Sequence, residues 1–315
     1  MRKLLKIALI ALVPLAGFAA FDRLAPASAA PLNVGLQRSL GGLEAKTLDI
    51  PGFTVAYLEG GKADGEPLVM IHGIGADKDN FSRVAPFLRS HYRLISIDLP
   101  GFGDSSKPLD ADYGIDAQAQ RLDQILAALN LTQAHLAGSS MGGWIIGHYA
   151  ARHPDKAQSL WMLGSAGVLS APPSEILQRY RQSGEFMLFA RTPEEYERIL
   201  DTVFVARPYL PYSVLKVLGD RAIANYPLHT RIFADLVSKP QPVLEGELMG
   251  STVPALLVWG DQDRAVSPAG AEILHKVMPR SEVVIMPGVG HLPMLESPYR
   301  SAQDYLAFRK RLQAS

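Results

Sequence analysis

The chain has 315 residues, with 31 basic and 31 acidic side chains, eight histidines and no cysteine. Its apolar content of 48% is enough for a large core and excludes a mainly disordered chain. Zero net charge argues against a nucleic-acid partner, because such proteins bind phosphate groups through clustered Lys and Arg. The absence of cysteine excludes disulfides, thiol nucleophiles and cysteine-ligated metals.

The first thirty residues have the pattern of an export segment. Residues 7–21 are an uninterrupted apolar run, preceded by Arg2, Lys3 and Lys6. Because basic residues stay on the cytoplasmic side, the rest of the chain is predicted to lie outside the cytoplasm. One interpretation is a membrane anchor over residues 1–30, with the remaining chain on the periplasmic side of the inner membrane. The alternatives are a secretory signal cleaved near Ala29 and a buried helix of a soluble protein.

After a connector that ends near Leu48, short apolar runs alternate with amphipathic stretches. Apolar runs bounded by turn residues predict buried strands at 68–71, 94–97, 135–137, 160–163, 253–259 and 283–286. Helical spacing predicts helices at 117–129, 142–152, 269–277 and 298–312. This alternation predicts a doubly wound, mostly parallel α/β sheet with helices on both faces.

One long stretch interrupts the alternation. Residues 171–240 contain only helical patterns, rich in Leu and aromatic residues, and the stretch is too long for an ordinary connection. We therefore predict an inserted helical cap over residues 166–243, placed above the carboxyl ends of the strands. The cap divides the α/β core into a first part, 31–165, and a second part, 244–315.

The segment Gly138-Ser139-Ser140-Met141-Gly142 contains the pattern G-x-S-x-G. The pattern alone is weak, but here it follows a predicted strand and opens a predicted helix, the context that a nucleophilic serine requires. The two glycines permit the close approach of strand and helix at such a sharp turn. Ser140 is therefore the predicted nucleophile, and Ser139 is its neighbour in the turn.

A serine hydroxyl needs a base to take its proton, and eight histidines are available. His291 lies in a loop directly after the last predicted strand, where it can reach over the strand ends to Ser140. His148 and His153 follow the serine on its helix and are predicted to be surface or packing residues. His135 opens the preceding strand, at the end away from the site. His291 is therefore the predicted base.

The base in turn needs a carboxylate that fixes its tautomer and stabilises its charged form. Asp261 and Asp263 both follow the predicted strand at 253–259. Asp263 is preferred because it lies further into the loop, whereas the first aspartate can cap the turn.

Cleavage of a carbonyl compound also requires N–H donors for the developing oxyanion. Met141 follows the nucleophile into a helix N-terminus, and its backbone N–H is the first predicted donor. The loop after strand 68–71 has glycines on both sides of Ile74, which let the chain turn the Ile74 N–H inward. His72 is predicted to be a hydrogen-bonding strut, and residues 98–105 a structural turn at the wall of the site.

Six segments in order make the chain resemble the α/β-hydrolase superfamily, and within it membrane-associated bacterial lipases and monoacylglycerol lipase-like enzymes. They are AYLEGG at 56–61, IHGIGADKDNF at 71–81, DLPGFGDSSKP at 98–108, GSSMGG at 138–143, WGDQD at 259–263 and MPGVGHLPMLE at 286–296. The resemblance covers about residues 40–315. It implies a triad of Ser140, Asp263 and His291, oxyanion donors at Ile74 and Met141, and a helical cap. It also implies that the apolar segment is kept as an anchor, followed by a basic amphipathic connector at 34–43.

The favoured function is that of a serine ester hydrolase acting on lipid esters (monoacylglycerols, lysophospholipids or phospholipids) through an acyl-enzyme. The alternatives are a carbon–carbon bond hydrolase of the same fold, a small-ester carboxylesterase and a ligand-binding protein on this fold. No metal-ligand or dinucleotide-binding pattern is present, so neither a metal nor a cofactor is predicted. Expected partners are the lipid substrate and the membrane, and the apolar helix could pair two copies into a homodimer.

Overall fold

The computed structural model describes residues 17–185 and 187–314. Most of the apolar run at 7–21 lies outside these residues, and so does Phe186 in the predicted cap. Residues 17–24 are helical. Within the described ranges, no helix is both long and apolar enough to cross a membrane.

An eight-stranded sheet forms the centre of the molecule, in the order β1-β2-β4-β3-β5-β6-β7-β8. The strands are β1 (Leu43–Ile50), β2 (Phe53–Gly61), β3 (Glu66–Ile71), β4 (Tyr92–Ile97), β5 (Ala134–Ser139), β6 (Ala157–Leu163), β7 (Ala255–Gly260) and β8 (Ser281–Met286). The first two strands pair antiparallel with their neighbours, and β3 to β8 are parallel. The predicted mostly parallel α/β sheet is therefore confirmed.

Helices precede the first strand, follow the last and occupy most of the longer connections between strands. They are α1 (Pro26–Gly41), α2 (Ala85–Leu88), α3 (Ile115–Ala128), α4 (Met141–Arg152), α5 (Glu175–Ser183), α6 (Pro193–Val203), α7 (Tyr212–Ala224), α8 (Tyr226–Ser238), α9 (Leu244–Glu247), α10 (Ala269–Val277), α11 (Pro293–Glu296) and α12 (Pro298–Ala314). A short 3-10 helix lies at Lys78–Phe81. Helices α5 to α8 fall in the stretch where the sequence predicts an insertion, and its described residues contain no strand.

Two apolar cores lie on opposite faces of the sheet. Along β3, Val69 and Ile71 belong to one core while Leu68 and Met70 belong to the other, as expected when successive side chains point to opposite faces. The first core also contains residues of α3, α4 and α10, and the second contains residues of α2 and α12. Helices thus cover both faces, which confirms double winding.

The hairpin of β1 and β2 was not predicted, because the sequence there indicates a connector to about Leu48. Strand β1 is at the edge of the sheet, and only its two end residues are buried. Its sequence, LEAKTLDI, therefore lacks the apolar run by which the inner strands can be recognised.

Residues 26–41 form a helix where the sequence predicts the beginning of the connector. Pro31 lies inside helix α1 and removes one backbone donor, so the local sequence does not favour a helix. Tertiary contacts compensate for this cost. The Arg38 guanidinium donates two hydrogen bonds to the Asp79 carboxylate, and Asn33 donates to Asp22 and Ser213, the latter in α7. Helix α1 thereby joins the inserted helices to the core.

Candidate active site

Ser140 occupies a strained turn between β5 and α4. Its φ of 54° and ψ of −117° are unusual for a residue with a side chain, and such strain is typical of functional elbows. Two backbone hydrogen bonds hold the turn: the Ser140 N–H donates to Leu163 O at 3.0 Å, and the Ala166 N–H donates to Ser140 O at 3.0 Å. The predicted nucleophile therefore lies at the carboxyl end of the central strand.

The glycines around Ser140 are required by backbone contacts. A Cβ at Gly138 would lie 2.4 Å from Gly142 O, and a Cβ at Gly142 would lie 2.3 Å from Ile71 O. Neither neighbour is a flexible side chain that could move aside. The close packing of β3, β5 and α4 thus explains why the pattern has glycine at both positions.

Asp263 and His291 form a buried pair in the two loops that follow β7 and β8. His291 Nδ1 lies 2.8 Å from Asp263 Oδ2. The other carboxylate oxygen, Oδ1, accepts hydrogen bonds from the N–H groups of Ala265 at 2.8 Å and Val266 at 2.9 Å. The backbone therefore fixes the carboxylate, which orients the imidazole.

Asp261, the competing aspartate, has a different role. Its side chain is exposed and accepts a hydrogen bond from the Gly288 N–H at 2.8 Å. It therefore ties the loop after β7 to the loop after β8 without contacting the histidine ring.

Gly164, directly after β6, packs against the Asp263–His291 pair. It has a φ of +53°, and a Cβ there would lie 3.1 Å from both Asp263 Oδ2 and His291 Nδ1. Its neighbour Leu163 accepts the Ser140 N–H. Sequence reasoning gave this glycine no role, although a glycine directly after a central strand was an available signal.

The structure brings Ser140, Asp263 and His291 to the same edge of the sheet and joins two of them directly. Within the described part of the chain, Ser140 Oγ and His291 are not hydrogen-bonded to each other. Hydrogen bonds between catalytic groups are often long or absent in enzymes without substrate and form fully only when substrate binds.

Of the two predicted oxyanion donors, Met141 directly follows Ser140 and Ile74 lies in the loop after β3. Met141 is the first residue of α4, where N–H groups have no intrahelical partner. Gly73 packs directly on the serine: a Cβ there would lie 3.0 Å from Ser140 Cβ and 3.6 Å from its Oγ. Ile74 is the next residue in that loop.

His72 is fully buried and supports this loop. Its Nδ1–H donates to Gly73 O at 2.7 Å, and its Nε2 accepts from the Leu99 N–H at 3.1 Å. Burial lowers the pKa of the ring, which favours the neutral form with both nitrogens engaged. His72 is therefore a strut, as predicted.

Two of the other histidines take structural positions. His135 is buried in β5 between Ser159 and Glu66, and His148 is buried in α4 between Glu247 and Asp116. Both rings make contacts at both nitrogens with residues outside the site. His148 is thus a packing residue and not a surface residue.

Glu296 of α11 links the histidine loop to the chain that leaves α6, a contact that the sequence did not predict. Its Oε2 accepts from the Gly290 N–H at 3.1 Å and the Val205 N–H at 3.3 Å, and its Oε1 accepts from the Ala206 N–H at 2.9 Å. The His291 N–H itself donates to Val203 O at 2.8 Å. The histidine loop is therefore held to the chain that leaves α6.

His229 of α8 covers the Ile74 loop from the side of the inserted helices. The residue is 5% exposed, and its ring stacks on Phe102 with ring centroids 4.9 Å apart. Its Nδ1 lies 3.9 Å from the position a Cβ of Gly75 would take. Burial lowers the pKa of His229 to about 4, so the ring is neutral at pH 7.

The parallel sheet with a strained serine between its central strand and the next helix is the arrangement of an α/β hydrolase. The family described as alpha/beta hydrolase fold matches residues 66–298, and the chain belongs to this family.

Proteins named as lipases or as a phospholipase are similar to this chain over most of its length. Lipase 3 of Moraxella sp. (strain TA144) is 38% identical over 278 residues, 88% of each chain. Monoacylglycerol lipase ABHD6 of Homo sapiens is 28% identical, covering 94% of this chain and 91% of its own. The crystal structure of a membrane phospholipase A, described as a novel bacterial virulence factor, has 40% identity and a TM-score of 0.89, with 100% of both chains covered.

Proposed function

We propose that this protein is a serine carboxylic-ester hydrolase that cleaves acyl chains from lipid esters: monoacylglycerols, lysophospholipids or phospholipids. The observation that carries the proposal is the buried Asp263–His291 hydrogen bond of 2.8 Å beside the strained Ser140 turn. The similar lipases, the monoacylglycerol lipase and the phospholipase A support the lipid class of the substrate.

Each residue has a defined role in the proposed mechanism. Ser140 Oγ attacks the ester carbonyl while His291 Nε2 takes its proton, and Asp263 stabilises the imidazolium that results. The backbone N–H groups of Met141 and Ile74 donate to the carbonyl oxygen as it becomes negative. His291 then protonates the leaving alcohol, which leaves the acyl group on Ser140. A water deprotonated by His291 hydrolyses this acyl-enzyme and releases the fatty acid.

The inserted helices act as the cap of this site, over residues 166–243. His229 and Phe189 of this segment lie over the loop that contains Ile74. Apolar side chains of the cap receive the acyl chain of the substrate, which is otherwise exposed to water when it leaves a membrane or micelle.

The apolar N-terminal segment holds the protein at a membrane, with the hydrolase on the periplasmic side. The run at 7–21 follows three basic residues and leads into the chain just before α1. We expect full-length protein in the membrane fraction, with its starting residues intact by mass spectrometry. A mature chain that begins near Ala30 and is found in the soluble fraction would contradict the anchor and support cleavage.

The substrate class is tested with a panel of a monoacylglycerol, a lysophospholipid, a diacyl phospholipid and short p-nitrophenyl esters in neutral detergent. We expect fatty-acid release from at least one long-chain lipid, with a higher kcat/KM than for the short esters. The Ser140→Ala variant is the control and should release no fatty acid above background. A preference for the short esters would favour a small-ester carboxylesterase, and no release from any ester would contradict the proposed function.

A further inference from the structure

A cavity of about 500 Å³ opens among the inserted helices, beside the candidate active site. This volume is within the range of pockets that hold small ligands. Its lining comes from α5, α6, described residues of the chain between them, the start of α8 and the loop after β7. None of the predicted triad residues is among its lining residues.

The cavity adjoins the site at three points. Arg264 in its lining directly follows Asp263, and Thr202 precedes Val203, whose carbonyl accepts the His291 N–H. Phe189 contacts the other side, since its ring lies 3.7 Å from the position a Cβ of Gly75 would take. The cavity thus lies next to the loops that carry Asp263 and His291 and next to the loop that contains Ile74.

The lining is unusually rich in guanidinium groups. It contains four arginines, 179, 191, 198 and 264, against three carboxylates, 185, 195 and 201. Guanidinium groups bind phosphate oxygens in a planar, two-pronged geometry, which makes arginine the preferred side chain for phosphate recognition. An uncharged glycerol headgroup would gain little from such a lining.

Two of these arginines are held by paired hydrogen bonds, and the other two form longer ion pairs. Arg191 donates to both Glu195 oxygens, and Arg264 donates to both oxygens of Glu175. By contrast, Arg198 Nη2 forms an ion pair with Glu195 Oε1 at 3.6 Å and Arg179 Nε forms one with Glu175 Oε1 at 3.9 Å, both longer than a hydrogen bond. Their side chains are 60% and 55% exposed, respectively.

We propose that this cavity is a headgroup subsite that binds the phosphate of a lysophospholipid or phospholipid through Arg179 and Arg198. The hydrogen-bonded pair Arg191–Glu195 holds the start of α6, and Arg264–Glu175 joins the loop after β7 to α5. The proposal rests on the proposed function, and it selects phospholipids over monoacylglycerols within that class. It assigns substrate preference to residues remote from the reacting ester.

The test compares two substrates with the same acyl chain, 1-lauroyl-lysophosphatidylcholine and 1-lauroylglycerol, in the same neutral detergent. The double variant Arg179→Gln/Arg198→Gln is expected to lower kcat/KM for the lysophospholipid about tenfold, since it removes two charge-assisted contacts to phosphate. Its kcat/KM for lauroylglycerol should stay within about twofold. Arg198→Lys, which keeps the charge but loses the planar fork, should have an intermediate effect.

The matched control is Arg181→Gln/Arg221→Gln. Both arginines are on inserted helices, α5 and α7, neither lines the cavity, and the change in charge is the same. This variant should leave the ratio of the two kcat/KM values unchanged. High salt should lower the ratio in the wild type but not in the Arg179/Arg198 variant.

An unchanged ratio in the Arg179/Arg198 variant would overturn the subsite. An equal loss on both substrates would overturn it too, because a structural defect does not discriminate between headgroups. If the wild-type protein hydrolysed lauroylglycerol but not the lysophospholipid, the subsite would fail and the proposed lipid hydrolase would stand. Failure of wild type on both substrates and on the whole ester panel would instead contradict the proposed function.

Discussion

Replacing Asp263 with asparagine is expected to lower kcat by about 10⁴-fold, the size of effect known when a triad aspartate becomes an amide. The two backbone N–H groups that donate to Oδ1 select the orientation of the new side chain, with its carbonyl oxygen toward them. The amide NH₂ then faces His291 Nδ1, which must be unprotonated to accept. The ring proton moves to Nε2, and this nitrogen can no longer take the proton of Ser140.

Asp261→Asn is the control for that measurement. Asparagine can still accept from the Gly288 N–H through its carbonyl oxygen, and Asp261 has no contact with the histidine ring. We expect its kcat to remain within about twofold of wild type, because the Asp263–His291 pair is unaffected. If Asp263→Asn kept more than a tenth of the wild-type kcat while Asp261→Asn lost most of it, the assignment of the carboxylate would be wrong.

The second large effect is expected from Gly142→Ala. The added Cβ would lie 2.3 Å from Ile71 O and 2.6 Å from His72 O, so α4 must move away from β3. This shift displaces Met141 N–H and Ser140 Oγ together, and a displacement of about 1 Å at a reacting group can cost about 10²-fold in rate. Overpacking against backbone should also cost about 3 kcal/mol in the free energy of unfolding. Urea unfolding and ester hydrolysis measure the two effects separately.

Gly35→Ala provides the comparison, since nothing lies within 4 Å of the position of its Cβ in helix α1. There the same substitution should raise the free energy of unfolding by about 0.5–1 kcal/mol and leave activity unchanged. If Gly142→Ala, like Gly35→Ala, kept full activity and lost no stability, the close packing of α4 against β3 would not be what positions Ser140 and Met141.

The inner strands and the serine turn could be predicted because short-range sequence determines them. Strands β3 to β7 are largely buried on both faces and therefore appear as apolar runs, whereas β8 is a half-buried edge strand that keeps only a short apolar run. The turn at Ser140 requires glycines at fixed spacing, and His291 and Asp263 follow strands whose carboxyl ends share one edge. The prediction of Asp263 over Asp261 used its place further into the loop and the capping role open to Asp261, and the structure adds the hydrogen bond to His291.

The features that could not be predicted depend on contacts between distant parts of the chain. Glu296 meets Val205 and Ala206 across 91 and 90 residues, and no local pattern indicates such a contact. Helix α1 contains Pro31 and forms through its contacts with α7 and with Asp79. The arginine cavity likewise combines polar side chains from separate helices. In the sequence, these side chains indicate only helix faces that are exposed to water.

The central claim is that Ser140 carries the acyl group, and covalent labelling tests it most directly. The full-length protein would be treated with a long-chain alkyl fluorophosphonate, which forms a stable adduct with an activated serine, and then analysed by intact and peptide mass spectrometry. We predict one added phosphonyl group, located on Ser140. Ser139→Ala should be labelled like wild type, because the Ser139 side chain is buried without a hydrogen-bond partner. Ser140→Ala should stay unlabelled. Equal labelling of Ser140→Ala, or an adduct at any other residue, would contradict the assignment of the nucleophile.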